Sequence, residues 1–169
     1  YHEKFDKNAA IAKKGVLNPA LFGWLLEDQV YREQPPKSTG REHYGMEFQK
    51  KLLKKAKGVK STDIIRTVTE FTPYAIWYNY QNFAEYNCKV SELIISGGGT
   101  ENPLIISALS RYFKGVKLTS LKQFGVTSDN KEAVLFAILA NECLAGNPAN
   151  MKSVTGSVKD VVLGKICQA

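Results

Sequence analysis

The stretch Ser96-Gly97-Gly98-Gly99-Thr100-Glu101-Asn102-Pro103 combines residue types and spacing that could do chemistry. It stands between the aliphatic run Leu93-Ile94-Ile95, two of whose residues are β-branched, and a helical pattern that begins at Leu104. The order predicts a strand, a glycine loop and a helix start. Glycines let the backbone take positive φ and remove every Cβ that would block a ligand. At the helix entrance Asn102 can cap, and Pro103 suits the first turn, where its missing N–H costs nothing. Free N–H groups and the positive end of the helix dipole would then favour an anion or a sugar phosphate at the loop. The same residues also serve as a plain tight turn between strand and helix.

Other polar groups stand at helix entrances. In Asp129-Asn130-Lys131-Glu132, Asp129 could cap with Glu132 reaching back, or Glu132 could accept hydrogen bonds from sugar hydroxyls. In Lys37-Ser38-Thr39-Gly40-Arg41-Glu42, the spacing of Thr39 and Glu42 is that of a capping box, the alternative being a ligand contact by Lys37 or Arg41. His43 reads as a surface residue, because no Ser, Cys or acid stands at a spacing that suggests a triad. Cys88, Cys143 and Cys167 are far apart, without a Cys-x-x-Cys pair and with only His2 and His43 as imidazole partners. Neither a disulfide framework nor a zinc site is predicted, and buried free thiols are the default. Lys50, Lys51, Lys54, Lys55 and Lys57 coat one face of a helix whose apolar residues are Phe48, Leu52 and Ala56. No aromatic or arginine residues are interleaved there, so the net charge of +7 reads as a solvated face rather than a nucleic-acid surface.

The elements that must position these residues follow from periodicity. Asn18-Pro19 opens a helix through Leu21, Leu25 and Leu26 that stops before Pro35-Pro36. The lysine-rich helix closes near Gly58. A long helix starts at Ser61 or Thr62 with apolar positions at Ile64, Ile65, Val68, Phe71, Ala75 and Ile76, and Pro73 is expected to kink it. A strand at about 90–96, a helix from Pro103 to about Phe113, a short strand around Val116-Lys117-Leu118 and a helix from about Asp129 to Ala145 complete the pattern. The last helix is apolar all round between Ala133 and Ala140, which predicts burial on several sides. With 169 residues and 44% hydrophobic content, the chain can bury a core as one α/β lobe. No apolar run spans a bilayer and no signal segment is evident, so a cytoplasmic protein without membrane or nucleic-acid partners is expected. Tyr1 in place of Met predicts a start inside a longer protein.

The segment from Pro35 to Glu42, the glycine loop with Asn102-Pro103, Glu132-Ala133 with Phe136-Ala137, and Asn150 followed by Ser153-Val154-Thr155-Gly156 and Leu163-Gly164 occur in one order. In that order the chain resembles the anhydro-N-acetylmuramic acid kinase family over essentially its whole length. The resemblance implies the carboxy-terminal lobe of an actin-like, hexokinase-like (ribonuclease H-like) ATPase fold, helix-rich with a small sheet. It implies a single lobe, mainly helical over 1–88 and nucleotide-binding over 89–169, whose amino-terminal lobe is absent.

The activity so implied is ATP- and Mg2+-dependent conversion of 1,6-anhydro-N-acetylmuramic acid to N-acetylmuramic acid 6-phosphate in peptidoglycan turnover. Gly97, Gly98 and Gly99 match the loop that lies against the nucleotide, and Glu132 matches an acidic residue of the sugar site. The chain departs from the family pattern at Thr100, Glu101 and Lys152. The family's Gly-Thr-Ser phosphate turn and its Asp-Thr-Gly-Pro-Gly-Asn segment with the catalytic aspartate are not in this sequence. The base is therefore expected upstream of Tyr1, and the chain alone is expected to be inactive. A homodimer is compatible with this reading. The alternatives are a non-catalytic interaction module of the same fold and a polyanion-binding domain using the lysine helix.

Overall fold

The computed structural model describes residues 5–86, 88–127 and 129–167. The reading of Tyr1 as an internal start, and His2, lie outside the described residues. Asn18 and Pro19 begin the first helix as their order predicts: α1 spans Pro19–Leu26, and the Asn18 side chain accepts the Leu21 N–H at 2.9 Å. A second, four-residue helix α2, Gln29–Arg32, follows at once because Asp28 caps it through the Val30 N–H. Helix α3, Met46–Lys55, turns Leu52 inward, with Ala56 buried just beyond its end, and leaves its lysines exposed. Gly58, at φ +85°, lets the chain reverse after it.

Helix α4, Ser61–Asn79, runs for 19 residues and continues through Pro73 as one element. It widens into a π-helical turn over Tyr80–Ala84. α4 is the spine of the core. Leu21, Leu25, Tyr31, Leu52, Ala56 and Phe71 form one buried cluster around it. Tyr31 meets Phe71 and Tyr78 edge to face, with ring centroids 5.5 and 4.9 Å apart. The chain before α1 is pinned to α4 through polar groups: Val16 N donates to Asp63 Oδ1 and Asn18 N to Thr67 Oγ1, both at 2.9 Å.

Strands β1, Glu92–Ile95, and β2, Lys117–Ser120, pair in parallel with Glu92 opposite Lys117 and Ile95 opposite Ser120. The crossover between them carries helix α5, Pro103–Tyr112, as parallel pairing requires. α5 is locked to α4 by Glu70, only 5% exposed, which accepts from Arg111 and, at 3.0 Å, from the Tyr112 hydroxyl. Across the strands Lys117 pairs with Glu92 at 2.8 Å and Thr119 donates to the same carboxylate. These two hydrogen bonds hold the Glu92 carboxyl below its usual range.

These elements belong to one compact unit, Tyr1–Glu33 with Thr39–Ser120; Gln34–Ser38 and Leu121–Ala169 form a second. In the second unit α6, Lys131–Ala145, ends at Gly146 in the left-handed conformation, with Asn147 N bonded to Glu142 O at 2.9 Å. A four-residue helix α7, Lys152–Thr155, and irregular chain follow. Asn150 organises that chain by accepting the Val161 N–H at 2.8 Å and donating to Lys159 O at 2.9 Å.

The burial expected for α6 is not found: no residue of it is buried, and Phe136 and Leu144 are 67% and 75% exposed. Among the described residues its unit supplies a 3-10 turn, Leu121–Phe124, the short α7 and irregular segments to set against an all-round apolar surface. The cysteines also depart from expectation. Cys88 and Cys167 are exposed and Cys143 is half-buried, because they fall after a turn, in irregular chain and on the uncovered helix.

Candidate functional site

The glycine loop sits at the carboxyl ends of the parallel strands, the edge where open α/β sheets hold their ligands. Gly97 alone uses positive φ, at +94°; Gly98 and Gly99 do not. Gly97 turns the chain out of β1, and Gly98–Glu101 then form a 3-10 turn. Thr100 closes it, its Oγ1 donating to Gly97 O at 2.8 Å and its N–H to the same oxygen at 3.1 Å. A Cβ on Gly98 would meet nothing within 4 Å, and one on Gly99 would meet only the Ile105 Cδ1 at 3.8 Å. The chain itself therefore has no steric need for glycine at position 98. The bare surface there is open to something outside it.

The donors at this loop are not those expected. Asn102 Oδ1 accepts from Leu104 N at 3.0 Å and Ile105 N at 3.3 Å, Pro103 has no N–H, and Ile106 N bonds to Asn102 O. The first turn of α5 thus spends its donors internally and offers only the positive end of its dipole. Among the described residues, the N–H groups of Gly98 and Gly99 are left without a partner, and both glycines are exposed. A ligand at the loop would be held by these glycine amides, and Asn102 acts as a cap.

Glu132 lies in the other unit, in the first turn of α6, exposed and without a hydrogen-bond partner. It is not a cap. The N-cap is Asn130, which exchanges hydrogen bonds with Thr127: Thr127 N donates to its Oδ1 at 2.7 Å and its own N–H reaches Thr127 Oγ1 at 3.3 Å. Asp129, expected to cap, makes no such bond. The expected box of Thr39 and Glu42 is also unformed. Gly40 O accepts from His43 N and Tyr44 N in a turn, and α3 begins only at Met46 after Gly45.

That turn brings His43 to Asp28, with Nε2 2.9 and 3.1 Å from the two carboxylate oxygens, a pair 15 residues apart that sequence reading missed. The only sequence signal for it is that Asp28 stands where an N-cap belongs. Beside it, burial above all, then the charge of Asp28, pushes the Tyr44 phenol up to about 12. Among the described residues no group of three His, Cys, Asp or Glu could hold a metal ion, and no helix is long and apolar enough to cross a membrane.

A family model described as anhydro-N-acetylmuramic acid kinase matches residues 1–169. The chain belongs to the anhydro-N-acetylmuramic acid kinase family. It is similar to the protein of that name from Clostridioides difficile (strain 630), 39% identical over 166 residues, covering 98% of this chain and 43% of the relative. The namesake from Caldanaerobacter subterraneus subsp. tengcongensis is 37% identical over 164 residues, covering 96% and 41%. That from Bacillus cereus (strain ZK / E33L) is 39% identical over 164 residues, covering 96% and 43%. The chain thus spans about two-fifths of the length of the curated relatives it matches. The helix-rich α/β architecture with a two-stranded parallel sheet is compatible with membership of the kinase family.

Proposed function

We propose that this chain is the carboxy-terminal, nucleotide-binding lobe of an ATP-dependent kinase that converts 1,6-anhydro-N-acetylmuramic acid to N-acetylmuramic acid 6-phosphate. The carrying observation is the open surface over Gly98 at the carboxyl ends of β1 and β2, with two unspent glycine amides beside the positive end of α5. That arrangement fits the phosphates or the ribose of ATP. Family membership supplies the reaction.

In the complete polypeptide water attacks the anomeric carbon and gives up its proton to the catalytic base, the bond from that carbon to O6 breaks, and O6 takes the γ-phosphoryl group of ATP as the bond to the departing ADP breaks. Mg2+ bound with ATP would supply charge neutralisation at the phosphates. The glycine amides hold the nucleotide in place, and Glu132 accepts hydrogen bonds from the sugar. Positioning of this kind accounts for much of the acceleration in phosphoryl transfer. The catalytic base belongs to an amino-terminal lobe, so the 169-residue chain alone binds ATP weakly and turns over no sugar. The same lobe is where we place the cover for the apolar faces of α6.

The test is Gly98→Val in a polypeptide of full family length. The substituted position has ordinary φ and free space around its Cβ, so the fold should tolerate the change. The expected result is an unchanged melting temperature, at least a tenfold rise in KM for ATP and little change in KM for the sugar. A folded variant with normal ATP kinetics would reduce the loop to a turn.

A further inference from the structure

At the other end of α5 from the glycine loop lies a cleft of about 350 Å³, lined by the end of α4, the π-helical turn, the chain entering β1 and residues 111–114. Its volume is that of a site for one sugar-sized molecule. Its floor is aromatic, with the Trp77 and Tyr112 rings stacked at 5.5 Å. On its rim Lys89 and Lys114 are exposed and, among the described residues, have no charged partner. Arg111 is already engaged by Glu70. Glu85, half-buried in the same lining, has no donor to its carboxylate among the described residues, and Gln81 lines the cleft with it.

The charges decide what such a cleft takes. The carboxyl ends of α4 and α5 contribute about half a negative charge each and Glu85 one more, which together balance Lys89 and Lys114, so the cleft suits a ligand that meets the two signs separately rather than a bare anion. Glu85 opposes an anion placed directly on it, but as an acceptor it suits a hydroxyl or amine on the same ligand. A ligand with an acid group toward the lysines and hydroxyls toward Glu85 and Gln81 satisfies every unpaired group in the wall.

We propose that this cleft binds a small polyhydroxylated anion, the chemistry shared by sugar phosphates and sugar acids. The ten residues of α5 separate it from the glycine loop by about 15 Å at 1.5 Å per residue. Both places can therefore be occupied at once, and the cleft does not depend on the loop being a nucleotide site.

The experiment is calorimetric titration of the 169-residue chain with glucose 6-phosphate, gluconate, glucose and inorganic phosphate. Saturable binding is expected for glucose 6-phosphate or gluconate, the tighter of the two identifying the acid, with glucose and inorganic phosphate each at least fivefold weaker. The double variant Lys89→Glu/Lys114→Glu, both positions exposed, should weaken binding at least tenfold, Glu85→Ala should weaken it less, and Gly98→Val should leave it unchanged. Absence of saturable binding, binding that survives the charge reversal in a chain with unchanged circular dichroism, or inorganic phosphate binding as tightly as the sugar anions would overturn the proposal. Loss of binding in Gly98→Val would move the site to the loop.

Discussion

Helices α4 and α6 are both rich in apolar residues, yet α4 buries Thr67, Glu70, Phe71 and Pro73 while α6 buries nothing. The difference lies in what surrounds them. The apolar residues of α4 recur at helical spacing, and within its own unit α1, α2 and α5 come to meet them. In α6 the run from Ala133 to Ala140 points apolar groups in all directions, and among the described residues its unit holds no second long helix. Apolar composition states that a surface is costly to leave in water; it does not name the surface that covers it.

The largest effect that could break this comparison is a truncation in each region. Leu25 is 1% exposed in the α4 cluster, so Leu25→Ala should destabilise the chain by about 2–5 kcal/mol in urea unfolding. Phe136, 67% exposed, should cost less than about 0.5 kcal/mol on change to Ala in the same 169-residue chain. Equal costs would mean that α6 is covered in solution. Carried into a polypeptide of full family length, Phe136→Ala should become costly if the amino-terminal lobe supplies the cover.

A smaller effect is expected at the polar tie between α4 and α5. Glu70 is buried, but of its two arginine partners Arg111 has 53% of its side chain exposed and Arg66, 3.8 Å away, 26%, so both reach water when the carboxylate goes. Glu70→Ala should therefore cost about 1–3 kcal/mol, the range for an unsatisfied buried hydroxyl or lost charged hydrogen bond, rather than the larger penalty of stranding a buried charge. Glu70→Gln, which retains an acceptor for the Tyr112 hydroxyl, should lose less. Thermal unfolding of the two variants ranks them. A greater loss for Gln than for Ala would remove the acceptor role.

Local signals were legible in the chain and partner-dependent ones were not. Asn18-Pro19 and Asn102-Pro103 mark helix starts because the cap and the first turn lie within a few residues, and both form as read. The helix expected from about Asp129 to Ala145 forms as Lys131–Ala145 without the expected cap, and its exposure depends on chain elsewhere. Thr39 and Glu42 have capping-box spacing, yet Gly40 and Gly45 favour turns there and the helix starts later. The tie from Glu70 to Arg111 spans 41 positions and has no periodic signature. At the glycine loop the residue types marked the place, whereas which amides stay unspent depended on Asn102 closing the first turn of α5.

The smallest expected effect on stability, and the one that bears most on the proposed sugar site, is at Glu132. The carboxylate is exposed, makes no hydrogen bond and does not cap α6, whose N-cap position is held by Asn130 without a side-chain cap bond. Its one structural asset is its place in the first turn, where a negative charge gains about 0.3–1 kcal/mol from the helix dipole. Glu132→Gln should thus lower stability by no more than that amount and leave the melting temperature nearly unmoved. A sugar-site carboxylate would behave differently in catalysis. Each charge-assisted hydrogen bond to a hydroxyl near the reacting centre is worth about 1.5–3 kcal/mol, so its loss lowers kcat/KM for the sugar at least tenfold. We expect that fall in a polypeptide of full family length, with KM for ATP unchanged. Wild-type sugar kinetics in the Gln variant would remove Glu132 from the sugar site, and a cap could not be invoked instead, because the Glu132 carboxylate makes no capping bond.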